Sequence, residues 1–332
     1  MTMQCRFDPI DCALLDRWQR DLPLVPRPFA AIAAALDLGE GDVLMRLGRL
    51  AATGAISRIG GTCRPNTAAA STLAAVSAPA HRVDEVAGAI SAEPGVNHCY
   101  LREHAINIWF VATGPDRAHV DATLARIARA TGFEVLDLRL VRPFNVDLGF
   151  GLEGASLPLP LPRDTDTAAI APGDGAIIQA LCEGLPILPR PYAAVAAALG
   201  RPETELLERI RILSAAGVIG RVGVIVRHRA LGWTSNAMVV WQVEEAAIEA
   251  AGRSLLAVPG VTLCYQRRPA GAIWPFTLYC MIHARSRPEA MAVLGRATEA
   301  AGLAGVPSAV LFSLRCFKQR GALVAVSEGA AA

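Results

Sequence analysis

The strongest constraint on the fold of this chain is that it is written twice. "LPLVPRPF" at 22–29 recurs as "LPILPRPY" at 185–192, 163 residues later. The same displacement carries "GAISRIGGTCR" (54–64) onto "GVIGRVGVIVR" (217–227). "EPGVNHCYLR" (93–102) meets "VPGVTLCYQR" (258–267) at 165, and "INIWFVAT" (106–113) meets "FTLYCMIH" (276–283) at 170, so the second copy carries the longer hairpin. A repeat this long is a duplicated set of domains rather than a solenoid unit. Between the copies, "GASLPLPLPRDTDTAAIAPG" (154–173) has the Pro, Gly and Asp content of a linker.

Each copy divides again. Ile10, Ala13, Leu14 and Trp18, then Phe29, Ile32, Ala33 and Leu36, then Val43, Leu44, Leu47 and Leu50 recur at helical spacing, with Gly54 as a C-terminal stop. Three short helices running into a two-stranded "AISRIGGTCR" outline a winged helix-turn-helix. The remainder reads as βαββαβ, with strands near 72–79, 95–104, 106–113 and 135–142, and near 236–243, 260–267, 275–284 and 308–316. The expected fold is therefore α+β: a tandem duplication of a winged helix-turn-helix plus a ferredoxin-like domain, the two copies forming a pseudo-dimer. Boundaries are expected at 6–64 and 68–150 for the first copy, 151–173 for the linker, and 174–228 and 232–322 for the second.

This architecture resembles the Lrp/AsnC family of transcription regulators, including the third-helix patterns "VLMRLGRLAATGAI" and "LLERIRILSAAGVI". The charge pattern argues against DNA reading. The first recognition helix sets Arg46 and Arg49 against Glu40 and Asp42; the second sets Arg209 and Arg211 against Glu203, Glu205 and Glu208. Neither has the Asn or Gln that reads base edges, and cations that must neutralise phosphates are offset by acids.

Of 32 basic residues only Lys318 is a lysine, and the net charge is +2. Arginine's rigid fork suits a ligand with several carboxylates, although a coding bias would give the same excess. The eight cysteines form no C-x-x-C pair, so neither zinc nor a disulfide framework is indicated. The opening "MTMQCRFDPID" lacks the marks of a signal peptide, and no uncharged apolar run reaches a membrane span. The cytoplasm is the expected location.

"HCYLREHAINIWF" (98–110) carries the chemistry. Strand alternation places His98, Tyr100, Arg102 and His104 on one face and Cys99, Leu101 and Glu103 on the other, with a turn near 103–105. Four polar side chains on one face suit the wall of a pocket better than a core. A histidine there can ligate a metal or donate a proton, an arginine can hold a carboxylate, and a tyrosine can stack. The second copy keeps Tyr265 and Arg267 but has Leu263 for His98; it adds Arg268, Trp274, His283 and "RHRALG" (227–232) where the first reads "RPNTAA". Copies that diverge in complementary ways are expected to build unlike halves of one site.

"VNHCYLREHAINIWFVAT", "VGVIVRHRALGW" with "NAMVVW", and "VTLCYQRR" with "WPFTLYCMIH" resemble the two subunit types of siroheme decarboxylase, here in the fused D–L form associated with haem d1 synthesis in denitrifiers. The resemblance spans 6–320. It implies a carboxy-lyase that takes CO2 from two acetate arms of siroheme, giving 12,18-didecarboxysiroheme. His98 and His104 are then the expected catalytic residues, as proton donor or as ligand to the substrate's iron. Tyr100, Arg102, Asn107, Trp109, Arg227, His228, Tyr265, Arg267, Arg268, Trp274 and His283 are expected to bind the substrate, with Trp109, Trp274 and Ile108 against the ring. No cofactor or metal of the protein's own is required, because the iron belongs to siroheme. The expected partners are siroheme and its didecarboxylated product, a second fused chain in a homodimer, and further Lrp-like decarboxylase subunits. A tetrapyrrole-sensing regulator and a non-catalytic subunit are the rival readings.

Overall fold

Helix signals at the start of each copy are local and strong. The Asp8 carboxylate caps α1 (Pro9–Asp16) by accepting from the Asp11 amide at 2.8 Å, and Pro28 opens α2 (Pro28–Ala35). The third helix, α3 (Glu40–Ala52), ends before Gly54, whose φ of 77° supplies the left-handed turn into strand β1 (Ile56–Cys63). This computed structural model describes residues 7–146, 148, 149, 151 and 165–326; most of the expected linker, 152–164, lies outside the described residues.

The expected wing hairpin is not formed. Residues 56–63 make one uninterrupted strand, and its antiparallel partner is its own copy in the second half, β7 (Ile219–Val226), which follows α6 (Asp174–Glu183), α7 (Pro191–Ala198) and α8 (Glu203–Ala215). Glycine makes this possible. A Cβ on Gly60 would meet the Leu181 carbonyl oxygen at 2.3 Å, and one on Gly223 would meet that of Gln19 at 2.3 Å. Helix α6 and the turn that follows α1 thus each close over the strand of the other half. The cross-half bonds repeat: Leu22 N to Val222 O at 3.0 Å matches Leu185 N to Ile59 O at 2.6 Å. One core, containing Leu14, Phe29, Leu47, Ile178, Tyr192 and Ile210, serves both helical domains.

The two recognition helices are held by ion pairs that also repeat. Arg46 donates to Asp11 at 2.8 Å and Arg209 to Asp174 at 2.6 Å, while Arg27 pairs with Glu40 and Arg190 with Glu203. Asp11 and Asp174 are 4% and 1% exposed. The cations that would face phosphate are turned inward to these carboxylates.

The first ferredoxin-like unit comprises β2 (Ala70–Val76), α4 (Val83–Ala92), β3 (Val96–Arg102), β4 (Ile108–Gly114), α5 (Arg117–Thr131), and β5 (Leu136–Leu138) with β6 (Leu140–Asn145). The second comprises β8 (Ser235–Trp241), α9 (Glu245–Leu256), β9 (Val261–Arg267), β10 (Leu278–Ala284), α10 (Arg287–Ala300) and β11 (Ser308–Gln319). Strand order across the nine is β5-β2-β4-β3-β11-β8-β10-β9-β6. The long last strand of each unit explains this order. β11 pairs with β8 through 308–312 and then with β3 through 313–319; β5 pairs with β2, and after Arg139 the same segment pairs with β9 as β6. Each unit thereby lends its last strand to cover the other's edge.

Helices α4 and α5 cover one outer face, over Cys99, Ile108 and Phe110; α9 and α10 cover the other, over Trp241, Cys264 and Cys280. The inner faces meet in a shared core containing Leu73, Trp109, Met238, Tyr265, Trp274, Tyr279 and Leu311. The seven described cysteines are free thiols. Among the described residues no helix is long and apolar enough to cross a membrane.

Candidate active site

Alternation along β3 turns Cys99 into the helix-side core and leaves His98, Tyr100 and Arg102 on the other face. The His98 and Tyr100 rings are stacked with centroids 6.3 Å apart, and the Arg102 guanidinium lies 5.7 Å from the Tyr100 ring. Arg102 is only 6% exposed. Its Nη1 donates to the Leu311 carbonyl at 3.2 Å, its Nε has no partner, and it makes no ion pair among the described residues. A buried guanidinium with spare donors and no carboxylate costs stability, and it is suited to receive an anion.

The second half brings two histidines to the same place. After β7 a short 3-10 turn, His228–Leu231, buries His228, whose ring meets that of His283 on β10 edge-on at 4.8 Å. His283 is gripped on both sides. Asn236 Nδ2 lies 2.7 Å from its Nε2 and Thr262 Oγ1 lies 2.7 Å from its Nδ1. Thr262 also donates to Met281 O at 3.0 Å, so its oxygen is free to accept, which assigns the proton of neutral His283 to Nδ1. Ser313 Oγ, on the strand shared with β3, continues the chain to Asn236 Oδ1 at 3.3 Å.

Charge unites the group across the halves. Loss of water, then the Arg58 charge, pushes the His98 imidazole down to about 4. Burial, then Arg229 and His98, pushes His228 down to about 4, and burial followed by His228, Arg102 and Arg229 lowers His283 well below the usual range. All three rings are therefore neutral at pH 7 in the unliganded chain. Burial also raises the Tyr100 phenol. Arg58, Arg102 and Arg229 make no ion pair with any carboxylate among the described residues, although Arg229 reaches Ser313 O at 3.2 Å and Arg58 reaches Gly61 O at 3.4 Å. Three neutral imidazoles among three guanidinium groups without a carboxylate partner among the described residues are chemically suited to a polyanion.

Several expected residues stand elsewhere. The alternation expected to bring His104 onto the shared face ends at Arg102; His104 is exposed at the hairpin tip, accepts from Ile106 N at Nδ1 (3.0 Å) and meets Trp274 edge-on at 5.3 Å. Trp109 and Trp274 are core residues, 4.9 Å apart and 1% exposed, with their N–H groups donating to Ile106 O and Tyr279 Oη. Ile108 faces the helices. Asn107 turns both ends of its amide to the Ala78 backbone. Arg267 and Arg268 lie along β9 and its continuation, and Arg227 is exposed just before His228; Tyr265, also on β9, remains within electrostatic reach of Arg102. Arg58, Arg229 and Asn236 join the candidate site and were not selected by the sequence reading. Arg58 recurs as Arg221 in the second copy, and Arg229 stands inside "RHRALG", so both signals were present.

Comparison with known proteins accords with this geometry. The family model described as AsnC-like ligand binding domain matches 68–144 and 230–318, and the one described as siroheme decarboxylase NirDL-like HTH domain matches 11–56 and 174–219. The siroheme decarboxylase NirDL subunit of Paracoccus denitrificans is 58% identical over 319 residues, covering 96% of this chain and 98% of that protein. The siroheme decarboxylase of Hydrogenobacter thermophilus is 30% identical over 91% of this chain and 90% of its own. A crystal structure of siroheme decarboxylase NirDL in co-complex with an iron-uroporphyrin III analogue superposes with a TM-score of 0.65 at 26% identity, covering 95% of this chain and 94% of that one.

Proposed function

This chain belongs to the siroheme decarboxylase family, in its fused NirDL form, and we propose that it removes CO2 from two acetate arms of siroheme, giving 12,18-didecarboxysiroheme, as a cytoplasmic carboxy-lyase of haem d1 synthesis. The observation that carries the reading is the His228–His283 ring pair of the second half, 4.8 Å apart and gripped by Asn236 and Thr262, within electrostatic reach of His98 and Arg102 of the first half and of Arg229.

The chemistry follows from the substrate and these groups. In each step the bond between the arm's CH2 and its carboxylate breaks, CO2 leaves, and the electron pair is delocalised into the conjugated ring. The carbon then takes one proton and becomes a methyl group, so one proton is consumed per CO2. Arg102 and Arg229 hold rim carboxylates. Neutral imidazoles are suited to ligate the substrate's iron, and an incoming polycarboxylate raises their proton affinity, so that His98 or His228 can deliver the proton. His283, held at both nitrogens, orients its neighbour His228. His104 stays at the solvent rim. The reading needs no separate cofactor, because iron and electron sink arrive with the substrate.

A tetrapyrrole-sensing DNA-binding role is less well supported, because Arg46 and Arg209 are engaged by Asp11 and Asp174. Assembly of the fused chain into a homodimer, or with further subunits, belongs to the same proposal. Anaerobic incubation of the purified chain with siroheme, followed by product mass, tests it: loss of two CO2 is expected, and unchanged siroheme would refute it.

A further inference from the structure

The grip on His283 is part of a longer hydrogen-bond chain that runs in one direction. Ser313 Oγ donates to Asn236 Oδ1 at 3.3 Å, and Asn236 Nδ2 donates to His283 Nε2 at 2.7 Å. His283 Nδ1 donates to Thr262 Oγ1 at 2.7 Å, and Thr262 Oγ1 donates to Met281 O at 3.0 Å. A backbone carbonyl only accepts, so Met281 O sets the direction of every bond behind it. β11, β8, β10 and β9 each contribute one side chain, and Asn236, His283 and Thr262 are buried.

The two ends of the chain lie at different parts of the candidate site. Ser313 pairs in register with Arg102 on β3, and its carbonyl accepts from Arg229 at 3.2 Å. Those are two of the arginines without a carboxylate among the described residues. Farther along, the His283 ring meets His228 edge-on at 4.8 Å.

The first unit shows that the fold does without this chain. Leu140 faces Arg267 where Ser313 faces Arg102, and Ser71 faces Thr113 where Asn236 faces His283. Asn97 of "EPGVN" stands for Thr262 of "VPGVT". Ser71 Oγ instead turns to Asn66 Oδ1 at 3.3 Å, and the Thr113 hydroxyl donates to Gly95 O at 3.2 Å. Buried polar side chains cost free energy unless every member is satisfied. A chain complete in one copy and replaced in the other is therefore not what builds the sheet.

We propose that Asn236 and Ser313 are positioning residues of the reaction, which hold His283 as the neutral tautomer with its hydrogen on Nδ1 and fix its ring against His228. The effect on rate rests on the decarboxylase reading; the tautomer belongs to the chain itself. A ring bonded at both nitrogens turns about its Cβ–Cγ bond only by breaking both bonds, so His228 packs on a fixed neighbour. Through Ser313 the same restraint reaches the strand that faces Arg102, and it sets the spacing between the imidazole pair and the carboxylate-holding arginines.

Nitrogen-15 NMR of the full chain labelled at histidine reads the tautomer, with His283 assigned by its loss in His283→Gln. The wild type should show hydrogen on Nδ1 and a bare Nε2 at pH 7. Asn236→Asp, equal in size, replaces the donor with an acceptor and should call the hydrogen to Nε2. CO2 release from siroheme should then fall at least about 10-fold, with siroheme affinity changed less than about 3-fold. Should a buried Asp unfold the chain, Ser313→Ala serves: it should broaden or shift the His283 signals, while Ser313→Thr, which keeps the hydroxyl, should retain the wild-type spectrum. Hydrogen on Nε2 in the wild type would overturn the proposal, as would an Asn236→Asp chain that moves the hydrogen and releases CO2 at the wild-type rate. Identical spectra for Ser313→Ala and the wild type would remove Ser313 from it. No CO2 loss from the wild type would defeat the decarboxylase reading instead, and the spectrum would still decide the tautomer.

Discussion

The ring of His228 meets the ring of His283 edge-on at 4.8 Å, although they come from a turn after the helical domain and from a central strand of the ferredoxin-like unit. That contact ties the end of the helix-turn-helix portion to the ferredoxin-like sheet. Arg58, on β1 of the other half, enters the same electrostatic group through His98. In the proposed site, the helix-turn-helix portion supplies one wall through His228 and Arg58.

Arg102 is expected to weaken the empty protein. Replacing a buried, unpaired guanidinium with an apolar side chain of similar length removes a desolvation cost. Arg102→Met should hold or raise the melting temperature while siroheme binding weakens about 100-fold, roughly 2–3 kcal/mol. Calorimetry and absorbance titration on the same preparation measure both.

Acid should destabilise the unliganded chain through its histidines. His98 and His228 fall from the ordinary 6.5 to about 4 on folding, so the unfolded chain binds more protons between those values. Stability is then full above about pH 6.5 and declines as pH falls from there to about 4, by the order of 2–3 kcal/mol for each imidazole. Denaturant melts at pH 7 and pH 5 should show the loss, and His228→Gln should reduce it.

Gly60 and Gly223 should tolerate no side chain. Alanine at either would bring Cβ to 2.3 Å from a backbone oxygen, forcing α6 or the turn after α1 away from the paired strands. A loss of about 1–3 kcal/mol is expected from each, seen as a lower denaturant midpoint.

Asp174→Ala should destabilise the second helical domain by about 3 kcal/mol, because it strands Arg209 beside a 1%-exposed position. Hydrogen exchange in α6 and α8 should speed up, while the sheet remains protected.

Much of this was legible in the sequence, because duplication repeats its own signals. Strand and helix order in both ferredoxin-like units follows from alternation and helical spacing, and the shared face of His98, Tyr100 and Arg102 follows from the period of a strand. Other features depend on partners that no local pattern names. Residues 56–63 read as part of a two-stranded wing, whereas they form one strand paired with the other half, and Gly60 allows the close approach of α6. Trp109 and Trp274 read as a platform for a flat ligand, but the two inner sheet faces bury them against each other. His104 departs from the expected face because β3 ends two residues earlier. The site roles of Arg58 and Arg229 depend on contacts between halves, which only the folded chain displays.

The most direct test of the account is the rate of CO2 release from siroheme by His98→Ala and His228→Ala beside the wild type, under anaerobic conditions. The account predicts release by the wild type and a drop of at least about 100-fold in each variant, with siroheme still bound. Undiminished release from both variants would contradict the cross-half histidine centre.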